Sequence, residues 1–190
     1  MPARKLQDPM IPSPAALLRG LALSVLVTGC GDAGPAVAPS TTPQFTAGSG
    51  TVPSFLGRAT FGDPSGPPLN IKRISGDWHV EVKAKSALDV AVQRILFEPG
   101  GQSGWHTHPG PVFIQVISGT TTFYESDDPD CTPIVRTAGQ GYLDLGEHAH
   151  IARNETDEPG EDLVVYFAPP GGTGTAGLRI DAPDPGHCPF

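Results

Sequence analysis

From about residue 71 the sequence is a series of short runs in which apolar and polar positions alternate or β-branched residues crowd together. "WHVEVKAK" (78–85) alternates, "LDVAVQRILF" (88–97) is rich in Val, Ile and Leu, and "PVFIQVISG" (111–119) and "TTTFYES" (120–126) flank a Gly-Thr turn. "EDLVVYFAPP" (161–170) closes the series. Period-two alternation bounded by turn residues predicts half-buried strands. The boundaries are "EPGGQSG", "SDDPDCTP", "TAGQG" and "NETDEPG". No convincing amphipathic helix interrupts them, so many short strands at even spacing predict an all-β sandwich or barrel. With 24 glycines and 22 prolines, the composition excludes a helical bundle. One main domain is expected from 190 residues.

The first thirty residues follow a different rule. "MPARKLQDPMIPSPAALLRG" carries Arg4, Lys5 and Arg19, and "LALSVLVTGC" then gives a short apolar stretch ending in small residues. Charged, apolar, small is the order of an export signal, and the apolar stretch falls short of the roughly 20 residues of a membrane span. Val27, Thr28 and Gly29 run into Cys30, which resembles the lipobox of bacterial lipoproteins. That resemblance implies a signal peptide over 1–29, diacylation of Cys30, and a protein anchored by lipid in the bacterial envelope, outside the cytoplasm. The following "GDAGPAVAPSTTPQFTAGSGTVPS" cannot bury enough apolar area to offset ordering entropy, so residues 30–60 are expected to form a disordered tether. The folded domain is expected over 61–190.

Charge narrows the partners. The formal charge is −8, and without residues 1–29 the chain keeps 9 basic and 19 acidic residues, or −10. No basic face is available for nucleic acid. Outside the cytoplasm the two remaining cysteines, Cys131 and Cys188, are expected to pair, pinning the Pro-rich tail "DAPDPGHCPF" to the domain.

Four of the six histidines form two His-x-His pairs, His106/His108 and His148/His150, each at the start of an expected strand. Residues i and i+2 of a strand share a face, so each pair can converge on one ion. Imidazole suits Zn, Cu, Fe, Ni and Mn, so ligand type alone does not name the metal.

These residues resemble the cupins. Gly100, His106, His108 and Gly119 fall at the spacing of the first cupin motif, and Gly139, His150 and Asn154 at that of the second. The resemblance spans about residues 85–170 and implies a double-stranded β-helix, a jelly-roll barrel with a divalent transition metal inside. It also implies His106, His108 and His150 as ligands, with the fourth position taken by water, substrate or His148. Two departures stand out. Val112 occupies the position of the usual glutamate ligand, and Leu145 and Glu147 replace the Pro and Gly of the second motif. Without the glutamate, three neutral imidazoles leave the full +2 charge of the ion, which favours anionic co-ligands. Thiol dioxygenases within the broader superfamily are similar in using three histidines alone.

Three functions fit this sequence: a metal-dependent small-molecule oxidoreductase of dioxygenase-like chemistry, a module that binds a small ligand or metal, and a structural homodimeric barrel. Metal acquired outside the cell favours Zn and Cu by affinity order. Trp105 reads as strand packing, Tyr124 and Tyr166 as packed residues with wet hydroxyls, and Asp127, Asp128 and Asp130 as a solvated turn. Arg153 reads as a loop tie, and His79 and His187 as surface residues.

Overall fold

A computed structural model describes residues 45–190, and all of its regular structure is β. The expected signal peptide, Cys30 and the first part of the expected tether lie outside the described residues. In chain order the strands are β1 (Ser49–Phe61), β2 (Leu69–Ser75), β3 (Trp78–Ala84), β4 (Leu88–Gln102), β5 (His106–Thr107) and β6 (Val112–Ser118). They continue as β7 (Thr120–Glu125), β8 (Ile134–Thr137), β9 (Gly141–Asp144), β10 (His150–Arg153), β11 (Gly160–Ala168) and β12 (Ile180–Asp181). Ten of them make one antiparallel sheet in the order β12-β5-β10-β4-β11-β6-β9, with β1 along β4 and β7 bridging β10 to β8. That sheet curls into a nearly closed barrel, the double-stranded β-helix expected from the sequence.

The alternation read in the sequence decides which side chains fill the barrel. In β6, Val112, Ile114 and Val116 are buried while Phe113, Gln115 and Ile117 face outward. In β11, Asp162, Val164, Tyr166 and Ala168 point inward. With Ala91 and Phe97 of β4, Phe123 of β7 and Tyr142 of β9 they form the main core. The Phe123 and Tyr142 rings stack at 4.0 Å.

One expected boundary moves. Residues 49–60 are not tether: β1 pairs with β4 over nearly its whole length, from Ser49↔Gln102 to Phe61↔Leu88. Among the described residues, β1 has β4 as its sole strand partner, and an edge strand tolerates Pro53 because one side of its ladder is free. Composition hid a segment held by backbone pairing rather than by burial. The hairpin of β2 and β3 forms its own two-stranded sheet.

The expected disulfide is present between Cys131 and Cys188. It joins a second small core of Trp105, Tyr124, Cys131 and Ile151, on which the tail residues Ala182 and Cys188 pack. Upstream of that tail, Arg58 holds the segment after β11. Its guanidinium pairs with Asp89 at 2.7 Å and donates to the carbonyls of Ala176 and Pro169.

Candidate metal centre

His106, His108 and His150 meet inside the barrel. All three are buried, and one ligand atom from each lies within 4.8 Å of the others. His106 and His150 are cross-strand partners on β5 and β10. Their ring centroids are 4.5 Å apart, and that of His108 lies 4.8 Å from His106 and 5.3 Å from His150.

Backbone carbonyls fix two of the rings. His106 Nδ1–H donates to Gly104 O at 2.8 Å, and His108 Nδ1–H donates to Leu178 O at 2.6 Å. A carbonyl only accepts, so the proton sits on Nδ1 and the Nε2 lone pair is free to bind a metal. Burial, reinforced for His106 by the other two rings, pushes its imidazolium far below the ordinary range. Burial also takes His108 down to about 4, against the opposing pull of its Leu178 hydrogen bond. Both rings are therefore neutral at physiological pH, the state a metal ligand requires.

Two glycines make this geometry reachable. Gly104 has φ +72°, and a Cβ there would lie 2.0 Å from the carbonyl oxygen of Thr46, so the turn that presents its carbonyl to His106 admits no side chain. Gly146, at φ +79°, would set a Cβ 2.8 Å from His108 O. It takes the role expected of a turn glycine one place before Glu147. Its carbonyl accepts from Thr107 Oγ1 at 2.9 Å, tying the two histidine segments together.

The structure also brings in Asp144, which no sequence pattern singled out. It ends β9, is buried, and its Oδ1 accepts from Gly146 N–H at 2.7 Å. Its Oδ2 lies 3.3 Å from His150 Nδ1 and 3.8 Å from His108 Nε2. Neither Oδ2 nor His150 Nδ1 has a hydrogen-bond partner, although both are shielded from solvent. Burial pushes the Asp144 carboxyl up. The neighbouring His150 and the Gly146 amide outweigh it and hold it below the usual range. Three buried imidazoles beside an orphaned carboxylate oxygen and an orphaned ring nitrogen form a donor set that fits a divalent transition ion.

His148 does not join the cluster. Its side chain is 53% exposed and lies 3.4 Å from Asp127 Oδ2 on the surface. It precedes β10 in a bend, so the two-residue period does not apply to it. Val112 is buried in the core beneath the site. Asn154 fastens a turn: its Nδ2 donates to the carbonyls of Phe97, Glu98 and Glu158. Tyr124 donates to Glu155, and Asp128 accepts from the backbone of Asp130 and Thr132 in an ordinary turn. Arg153 pairs with Glu155 and sits 3.9 Å above the Phe190 ring. His187 contacts the Asp128 carbonyl, and His79 is exposed on β3.

A cavity of about 250 Å³ opens beside the cluster, lined in part by Thr51, Gln93, Ser103, His106, Tyr166 and Arg179. Tyr166 donates its hydroxyl to Gln93 at 2.8 Å, and burial keeps that phenol protonated. Arg179 Nε is held by Asp181 at 2.6 Å. Two larger depressions, of about 370 and 410 Å³, are lined by none of these histidines.

Comparison with known proteins gives one family match and several structural likenesses. Residues 93–166, which include all three buried histidines, match the family described as Cupin domain. No curated protein matches the chain. Among solved structures, the chain is similar to a Klebsiella pneumoniae protein with a double-stranded β-helix domain, at 19% identity and TM-score 0.41, over 63% of this chain and 88% of that one. It is similar to a polyketide cyclase from Streptomyces resistomycificus, at 12% identity and TM-score 0.45, over 73% and 75% of the two chains. A cupin superfamily protein from Desulfitobacterium hafniense aligns at 11% identity and TM-score 0.37, over 54% and 78%. The stretch similar to the Cupin domain family, residues 93–166, spans the part of the barrel in which His106, His108 and His150 meet.

Proposed function

We propose that this protein is a metal-binding cupin of the bacterial cell envelope, anchored through Cys30, whose centre acts on a small molecule admitted to the adjoining cavity. The observation that carries the metal reading is the convergence of three buried histidines on one point, with His106 and His108 held neutral by burial. Bound there, a divalent transition ion would supply Lewis-acid or redox chemistry. The chain's own residues do the rest. Gly104 and Leu178 hold the His106 and His108 rings, and the barrel wall excludes bulk water. Arg179 contributes a cation to the same cavity, and with the charge of the ion it favours a small anionic substrate. Oxidoreductase chemistry of the dioxygenase kind is the activity suggested by a three-histidine set. Zn, Cu, Ni, Mn and Fe all suit its donors.

The anchor rests on the leader sequence and the lipobox-like Val27–Cys30 segment. Pairing of two copies is supported by an apolar outer surface on which Phe113, Val135 and Leu143 are exposed.

Elemental analysis of the full chain, beside a variant with His106, His108 and His150 changed to Ala, tests the metal reading. About one transition ion per wild-type chain, lost in the variant, is expected. No metal in either after reconstitution would overturn it. Cys30→Ser should move the protein from the membrane to the soluble fraction, and unchanged membrane partition would refute the anchor.

A further inference from the structure

The carboxylate that the cupin pattern places at position 112 is absent, and the barrel presents another one in its stead. Across the β6–β9 ladder, Val112 is paired with Asp144, and across the β11–β6 ladder with Tyr166. Directly opposed residues on neighbouring strands project to the same face, with Cβ atoms about 5 Å apart. A side chain at 144 therefore starts one strand away from where the missing glutamate would start, and on the same inward side. All three residues of that row are buried.

The contacts of Asp144 divide sharply between its two oxygens. Oδ1 is satisfied by the Gly146 amide, which fixes the plane of the carboxylate. Oδ2 is buried and unpartnered, 3.3 Å from His150 Nδ1 and 3.8 Å from His108 Nε2. An unpartnered buried carboxylate oxygen is costly and calls for an explanation. Nitrogen and oxygen ligands at about 2.0–2.2 Å from one ion lie about 3–3.5 Å from each other. The first of these separations falls in that range, and the second is a few tenths longer. An aspartate that merely oriented His150 would sit along the Nδ1–H direction and accept from it. Here the approach to Nδ1 does not meet the geometry of a hydrogen bond. Oδ2 is left beside two ring nitrogens of the histidine cluster with no hydrogen bond to either.

We propose that Asp144 is the fourth protein ligand of the metal centre, a carboxylate transferred from the Val112 position to the neighbouring strand. This rests on the three-histidine reading above. The centre is then His3Asp, its net charge with a divalent ion is +1 rather than +2, and it binds the ion with one anionic oxygen in a preset orientation. A more weakly charged centre holds anionic substrates less tightly and leaves fewer coordination positions for them.

The test uses Zn²⁺ and Co²⁺ with the full chain, the Asp144→Asn variant, and Asp144→Asn combined with Val112→Glu. X-ray absorption of the Zn-loaded wild type is expected to show three imidazoles and one carboxylate oxygen. Asp144→Asn is expected to weaken Zn²⁺ binding by more than about 100-fold, beyond the roughly 10–100-fold typical of an outer-shell partner. It should also alter the visible spectrum of the Co²⁺ form. Returning a carboxylate at position 112 should recover most of the lost affinity, which the loss of a merely His150-orienting group would not allow. A wild-type shell without a carboxylate oxygen overturns the proposal, whatever the size of the affinity loss, and leaves the three-histidine site standing. A wild type that takes up neither ion overturns both. Should the Val112→Glu chain fail to fold, the wild-type absorption spectrum decides alone.

Discussion

The two His-x-His pairs are identical as sequence and opposite as structure. In the first, His106 and His108 are both buried and both rings are anchored by carbonyls. In the second, His150 is buried and His148 is exposed beside Asp127. The difference lies in the backbone. His106 opens β5 and His108 follows directly after that strand, whereas β10 begins only at His150 and His148 sits in the preceding bend. Equal spacing gives equal direction only where the chain is extended. What makes a ligand is the carbonyl or strand that holds the ring, more than the spacing that suggests it.

The sharpest way to break this comparison is to remove one histidine from the second pair at a time. His150→Ala is expected to abolish stoichiometric metal, read by elemental analysis after desalting. Both pairs border the small core that contains the disulfide, through Trp105 next to His106 and Ile151 next to His150. Cys188→Ser is expected to cost about 4 kcal/mol in denaturant unfolding, from the chain entropy of the 57-residue loop it closes. The variant should remain able to bind metal once folded.

Acid separates the pairs further. His108, brought down to about 4 from an ordinary 6.5, takes up its proton later in the folded protein than in the unfolded one. The metal-free chain should therefore lose stability as pH falls from about 6.5 to about 4, by roughly 3 kcal/mol at 1.36 kcal/mol per pK unit. Urea titrations of wild type and His108→Gln across that window would show the difference between them. Asp162, raised by burial to about 7, acts with the opposite sign, and its contribution is lost as pH rises. Pairing each variant with Asp162→Asn isolates the histidine slope. The smallest effect belongs to His148→Ala. Its pair with Asp127 is exposed on both sides, so metal affinity should change by less than about twofold and stability by less than about 0.5 kcal/mol. A metal loss comparable with His150→Ala would make the pairs equivalent after all.

Much of this was legible in advance. Alternation marked β6 and β11, each of which buries one face, and β-rich runs marked β3, β4 and β7, although β3 is mostly exposed and β7 is buried on both faces. Spacing gave His106, His108 and His150, and the pairing expected of the two remaining cysteines gave the disulfide. Asp144 was not legible, because its significance lies in being opposite Val112, and register between strands leaves no trace in either strand alone. A faint signal existed: "YLDL" (142–145) places an acid on the same parity as Tyr142, an inward position where a lone carboxylate is expensive. β1 was missed because its Pro, Ser and Gly read as tether, while its pairing is a backbone property. His148 was overcounted because a bend and a strand look alike at a spacing of two.

The carbonyl that holds His108 belongs to Leu178, and the cysteine that locks the tail is residue 188, both later in sequence than all three histidines. A polypeptide emerges N-terminus first, from a ribosome or through a membrane. All three histidines would thus be exposed well before the group that sets one of their tautomers arrives. The site is finished by residues 178–188, so an ion met by a partly delivered molecule would encounter loose imidazoles rather than a shaped cage. Selection of the metal would then depend on where residues 178–188 come out, making the place of completion part of the choice of ion.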